Sequence, residues 1–274
     1  MHSSVVYGMT SFSFVHITDH HLGESETALI RGFAPAYAFR TVLRHIAAHV
    51  AERADFIVST GDLVEPASDA AYETTRAILN INGAEGRAPG PLHVTIEGLY
   101  RYPMYFLPGN HDDRSGFIRH LFPRTASPGL VNATFVHRGV QFICLDWGPE
   151  AKAVADPTML AFLARALAGH APSIILMHHQ PVPVGSRWLD EFIADDIADF
   201  WDIVRGQEVL GIFCGHAHTT HQNVTNGITV FALRSTIYQF AQHDEPMMCL
   251  EPPHYRLVTV EGGQIRTQIF EVPL

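Results

Sequence analysis

FCGHAHTTH, residues 213–221, ends an apolar run (VLGIFC, 209–214) on a glycine followed by two histidines one residue apart. The run is short, apolar and bounded by turn residues, which reads as a buried β-strand. A His-x-His pair at the end of a strand is a metal-binding candidate. The chain holds 18 histidines, however, so the pair gains weight only if other segments supply matching ligands.

Four other segments do. FSFVHIT (12–18) runs into Asp19-His20-His21, and DFIVST (55–60) into Gly61-Asp62. PMYFLP (103–108) runs into Gly109-Asn110-His111-Asp112, and SIILM (173–177) into His178-His179. In open α/β sheets ligands gather just beyond the carboxyl ends of the strands, so these clusters are predicted to converge with His216 and His218. Carboxylate, amide oxygen and imidazole without thiolate suit divalent Zn, Fe, Mn or Co. Asp19 and His21, like His216 and His218, are spaced i, i+2, which predicts that each pair points one way from extended backbone.

Amphipathic helical patterns fill the gaps between strands: 34–54, 67–81, a short helix near 115–122, 157–169, and one helix over roughly 188–205. Alternating strand and helix indicates α/β layers. Arg138-Gly139 marks a turn between two β-rich runs, while Asn226-Gly227 and Gly262-Gly263 mark hairpins. The tail reads as antiparallel additions to the sheet. Residues 1–274 are expected to form one domain, with 235–274 as a β-rich C-terminal extension. The Gly- and Pro-rich stretch 82–99 is predicted to be a long surface excursion.

Composition narrows the function classes. With 274 residues and 47% hydrophobic, the chain can bury one large core. A net charge of −10 with no block of Lys or Arg excludes a nucleic-acid polymer or an anionic membrane as partner. Small anions stay compatible once bound cations reverse the local sign. Three scattered cysteines exclude a disulfide framework and a thiolate zinc site. MHSSVVYGMTS lacks a basic start and a long apolar segment, and no membrane-spanning run is seen, so the expected location is cytoplasmic.

Taken in order, D-x-H, GD, GNHD, H and GHxH between residues 19 and 218 resemble the calcineurin-like metallophosphoesterase superfamily. GNHDDR (109–114), MHHQP (177–181), IFCGHAH (212–218), the ST-x-x-Q segment from residue 235 and PPHYRL (252–257) are similar to its class III cyclic nucleotide phosphodiesterases and their glycerophosphodiesterase relatives. The resemblance implies a four-layer αββα sandwich with two divalent metal ions at its crest. Asp19, His21 and His218 would hold one ion, Asn110, His178 and His216 the other, with Asp62 bridging. It also implies hydrolysis of a small phosphodiester, a 3′,5′-cyclic nucleotide first, by a metal-activated hydroxide. Asp62, Asn110 and His111 would form the catalytic set, with His111 touching the phosphate or protonating the departing oxygen.

Glycerophosphodiesters, phosphonate esters and phosphomonoesters are the alternative substrates. A non-catalytic scaffold is disfavoured because every ligand position is kept. Tyr238 stands near where some glycerophosphodiesterase relatives carry histidine, which counts against that exact substrate. Tyr238 and His179 are further substrate-side candidates, although His179 and His20 read equally well as packed side chains. His16 and Trp188 are read as core, His221 as a surface hydrogen-bonder, and Asp112 and Asp113 as groups that orient His111 or cap the next helix. Loops 22–33, 82–99, 183–195 and 235–254 are expected to build the specificity pocket. The apolar segment 247–253 is a candidate homo-oligomer contact.

Overall fold

β1 (Phe12–Ile17) is buried at all but one position, as befits a strand covered on both faces. The structure, a computed structural model, describes residues 11–81, 91–96, 100–123 and 129–274. After β1 come α1 (Pro35–Val50), β2 (Phe56–Ser59), α2 (Asp69–Ile78), β3 (Leu92–Ile96), β4 (Tyr100–Phe106) and α3 (Arg114–Leu121). The second half runs β5 (Ala133–His137), β6 (Val140–Leu145), α4 (Pro157–Leu167), β7 (Ser173–Met177), α5 (Arg187–Asp190), α6 (Ile197–Val204) and β8 (Val209–Cys214). Then follow β9 (His221–Thr225), β10 (Ile228–Ala232), β11 (Gln239–Phe240), β12 (Met248–Cys249), β13 (His254–Glu261) and β14 (Gln264–Glu271).

The strands form two six-stranded sheets, ordered β14-β13-β1-β2-β4-β3 and β5-β6-β7-β8-β10-β9. Phe14, Phe56, Phe142, Phe213 and Val258 belong to the apolar layer between them. Phe39, Tyr72 and Phe117 bring α1, α2 and α3 onto the outer face of the first sheet. Met159, Leu163 and Phe200 bring α4 and α6 onto that of the second. The result is the expected αββα sandwich. β1, β2 and β4 are parallel in one sheet, and β6, β7, β8 and β10 in the other. Their carboxyl ends are therefore where the five polar clusters emerge.

The tail splits between the sheets. The expectation of antiparallel additions holds for β13, which pairs with β1 with Phe12 opposite Val260, and for the edge strands β14 and β9, but β10 joins the second sheet parallel to β8. Arg138-Gly139, Asn226-Gly227 and Gly262-Gly263 all have positive φ, the geometry of two-residue hairpin turns that match strand twist.

Two expectations need correction. Part of the 82–99 stretch is not loop: Leu92–Ile96 is an edge strand antiparallel to β4, with Leu92, Val94 and Ile96 buried. Its period-2 alternation is masked by the Gly/Pro-rich residues before it; 82–90 and 97–99 lie outside the described residues. The helix expected over 188–205 is broken into α5 and α6. The carbonyl of Phe192, which a continuous helix would pair with the amide of residue 196, instead accepts from Ala153 N–H at 2.8 Å. Asp195 and Asp196, poor residues for a helix interior, fill the gap. Among the described residues, no helix is long and apolar enough to cross a membrane.

Candidate metal centre

The side chains at the strand ends meet. One donor atom from each of Asp19, His21, Asp62 and His218 lies within 4.8 Å of the others, and Asp62, His178 and His216 form a second such group. Asp62 belongs to both. Asn110 joins the second, its Oδ1 2.9 Å from His216 Nδ1 and 3.1 Å from His178 Nε2. The two sheets contribute jointly: Asp19 and Asp62 follow β1 and β2, while His178 and His216 follow β7 and β8.

Backbone conformation corrects one expectation. Asp19, His21, Asp62, His216 and His218 all have φ between 45° and 66°, so the i, i+2 pairs leave left-handed corners, not extended chain. Such corners cost on the order of 1–3 kcal/mol each and persist only where the surroundings hold them. Here they are held. The His20 and His21 N–H groups donate to Asp62 O at 2.8 and 3.0 Å, and His216 N–H donates to the Asp19 carboxylate at 3.1–3.2 Å. His111 N–H donates to Asp62 Oδ1 at 2.8 Å. Gly215 is required where it stands, since a Cβ there would collide with the Thr18 hydroxyl and the Asp19 carboxylate.

The donor chemistry fits cations. His178 Nδ1–H donates to Thr60 O and His218 Nδ1–H to Tyr238 O, each at 2.8 Å, which fixes both tautomers. Their Nε2 lone pairs then face other acceptors. His218 Nε2 lies 3.1 Å from His21 Nε2 and 3.2 Å from Asp19 Oδ1, and His178 Nε2 lies 3.3 Å from both His216 Nδ1 and Asp62 Oδ2. Lone pairs opposed at this range repel unless positive charge sits among them. Burial opposes ionisation of Asp19 and Asp62, yet the neighbouring histidines outweigh it and hold both carboxyls well below their usual range. A proton can supply that positive charge at His178: burial lowers its pKa, but Asp62 and Asp19 override it and lift the imidazole to about 9. Burial, with His179 and His178 adding to it, keeps His216 well below its ordinary value. The centre therefore attracts cations, and this donor set suits divalent ions with nitrogen and oxygen ligands.

A cavity of about 400 Å³ opens over the centre. His111 and Tyr238 line it, with Trp188, Phe192, Phe240 and Met248 forming an apolar wall and Arg31 the single Lys or Arg side chain among the described residues. Three of the four loops expected to build the pocket contribute, 82–99 contributing nothing among its described residues. Trp188, read from sequence as core, is a wall residue. Tyr238 stacks on His21, ring centroids 5.3 Å apart. His179 does not reach the cavity: it is buried behind His216, with its Nε2 3.0 Å from Glu150 O. His20 is a packed histidine bonded to Ser59 and Thr236, and His16 is buried against Thr60. Neither acid after His111 orients it. Asp113 caps α3 through Gly116 N–H, and Asp112 accepts from Gly109 and Leu63 N–H. Sequence reasoning passed over Glu65 and Arg31; the only local signal for Glu65 is its place three residues after Asp62.

Comparison with known proteins agrees with this geometry. The family model described as calcineurin-like phosphoesterase matches residues 12–220. The chain is 30% identical over 275 residues to the 3′,5′-cyclic adenosine monophosphate phosphodiesterase CpdA of Vibrio vulnificus, covering 97% of this chain and 92% of that protein. It is 27% identical to the glycerophosphodiester phosphodiesterase GpdQ of Enterobacter lignolyticus over 87% of this chain and 83% of the relative. In fold it resembles a dimetal phosphatase from Danio rerio, with a TM-score of 0.63 at 15% identity over 96% of this chain and 99% of the other. With a family model spanning most of the sandwich and relatives aligned nearly end to end, the chain belongs to the calcineurin-like phosphoesterase family and is a phosphodiesterase.

Proposed function

We propose that this enzyme hydrolyses small phosphodiesters, 3′,5′-cyclic nucleotides first among them, at a centre of two divalent cations. The observation that carries the substrate choice is the cavity: its wall of Trp188, Phe192, Phe240 and Met248 stands directly over the donor groups and suits a flat nucleobase. In this reading Asp19, His21 and His218 hold one ion, Asn110, His178 and His216 the other, and Asp62 is shared. Cations there would lower the pKa of a water and neutralise charge on the phosphoryl oxygens.

The remaining work falls to side chains. Asn110 gives an oxygen without adding negative charge, which leaves the site attractive to an anion. The His111 ring, about one-third exposed on the cavity wall, is placed to meet the phosphate or to pass a proton to the departing oxygen. His21, with Tyr238 stacked on it, keeps its Nε2 aimed at the centre.

Glycerophosphodiester hydrolysis is the second reading, motivated by the likeness to GpdQ. A glycerol ester would leave the aromatic wall without a partner, which favours the nucleotide. A hydrolysis screen of the metal-loaded enzyme separates the readings. It should include cAMP, cGMP, 2′,3′-cyclic nucleotides, glycerophosphodiesters, phosphonate esters, and bis-(p-nitrophenyl) phosphate against p-nitrophenyl phosphate. The expected outcome is the highest kcat/KM on a 3′,5′-cyclic nucleotide. Preference for a glycerol ester or for the monoester overturns the substrate assignment.

A further inference from the structure

Glu65 lies outside the two donor groups that share Asp62, although with His21 and His111 it makes a third group of donor atoms within 4.8 Å of one another, and four side chains of the cavity meet on it. Its Oε2 lies 2.9 Å from His21 Nδ1, 3.5 Å from the Tyr238 hydroxyl and 3.9 Å from His111 Nδ1, and its Oε1 lies 3.6 Å from the Arg31 guanidinium. The loops explain the position. Past the ends of β1 and β2 the chain segments keep running side by side, Leu22 N–H donating to Leu63 O at 2.9 Å and Glu65 N–H to Leu22 O at 3.0 Å. That register sets Glu65 beside His21.

Three imidazoles point Nε2 at the centre, and each has a different group behind it. His178 has the Thr60 carbonyl, His218 the Tyr238 carbonyl, and His21 the Glu65 carboxylate. A carbonyl fixes tautomer and ring angle through a dipole. Glu65 meets His21 Nδ1 at ion-pair distance without the alignment of a hydrogen bond, so it acts through its full charge, which makes the opposite nitrogen a stronger donor to a cation. The Asp19, His21, Asp62 and His218 group also contains two carboxylates, against one in the other group.

We propose that Glu65 is a positioning residue which, by holding His21, makes the Asp19–His21–Asp62–His218 group the tighter of the two cation sites. The inference rests on the two-cation reading above. Arg31, over the Tyr238 ring at 5.5 Å, lies 3.6 Å from the far oxygen of Glu65, which leaves the near one beside His21.

The test strips the full chain of metal and titrates it with Mn(II), reading the number of ions and the affinity of each. Wild type, Glu65→Gln and Glu65→Ala are compared, with thermal unfolding of each metal-free protein alongside. Wild type should bind two ions of unequal affinity. Glu65→Ala should weaken the tighter one by about 10–100-fold, leave the weaker one unchanged and keep the metal-free unfolding temperature. Glu65→Gln, which retains an acceptor oxygen, should weaken the tighter ion less. Unchanged affinity of the tighter ion in Glu65→Ala overturns the proposal, as does selective loss of the weaker ion. Should Glu65→Ala fail to fold, Glu65→Gln decides: no loss at the tighter site in that variant overturns it. A wild type that takes up no Mn(II) removes the two-cation reading itself, and this inference with it.

Discussion

Asp62 is the side chain on which both donor groups depend, and it is nearly fully buried among histidines. Truncating it removes a charge that His178 and His21 face at 3.3 and 3.7 Å. Asp62→Ala is expected to lose bound metal, measured by elemental analysis, together with essentially all hydrolysis. Full metal content and turnover in that variant would contradict the proposed sharing of Asp62 between two ions. Gly215 makes a steric counterpart. Gly215→Ala would press a methyl group against Thr18 and Asp19, and overpacking of this kind costs about 1–3 kcal/mol. Metal uptake should fall with little change in fold, checked by circular dichroism beside elemental analysis. Asp19, Asp62 and Asn110 can be picked out in the sequence because each follows an apolar run beside a glycine or histidine. Glu65 and Arg31 cannot, because their place depends on which loop lies beside which, and that register is a long-range property.

At the scale of elements, strand ends deliver the donor side chains and loops deliver the cavity wall, and the two are unequally readable. Strands reveal themselves by apolar runs of the right length, so β1, β2, β4, β7 and β8 follow from local pattern. β3 hides beside Gly/Pro-rich sequence, and the division of α5 from α6 follows from one tertiary hydrogen bond, Ala153 N–H to Phe192 O. Trp188 within α5 and Phe192 just past it line the cavity, where Trp188 meets Phe240 edge-on at 5.0 Å. Neither fact has a local signature, so an aromatic on an amphipathic pattern reads as core. The wall now carries a prediction. If it stacks on a nucleobase, Trp188→Ala should raise KM for a cyclic nucleotide by about 10–100-fold, the equivalent of 1–3 kcal/mol of lost stacking. kcat should change little, because the wall touches no reacting atom. An unchanged KM would move the base elsewhere in the cavity.

On the scale of the whole molecule, the centre and the buried histidines tie stability to solution conditions. Donor side chains from both sheets converge, so cations held by them would bind the folded state alone and weld the sandwich at its crest. At an ion concentration about 1,000 times Kd, this linkage contributes roughly 4 kcal/mol, or about 8 °C in Tm for a chain of this size. Stripping metal with a chelator should lower Tm by that order in calorimetry; no shift would argue against bound cations. The metal-free protein exposes a second dependence, on pH. His254 is buried where β13 begins, and its Nε2 accepts from Arg234 N–H at 2.9 Å. Burial, helped by the charges of Arg234 and Arg256, pushes its pKa down to about 3. An unfolded histidine titrates near 6.5, so between about pH 6.5 and 3 the unfolded chain binds the extra proton. The contribution of neutral His254 is therefore complete above about pH 6.5 and shrinks as acid is added, by an amount on the order of a few kcal/mol. His254→Gln keeps an acceptor for Arg234 N–H but has no proton to gain. Chelated wild type should lose more Tm between pH 7 and pH 4 than chelated His254→Gln does. Every other acid-sensitive group is common to both proteins, so parallel acid slopes would show that His254 gains its proton without cost to the fold.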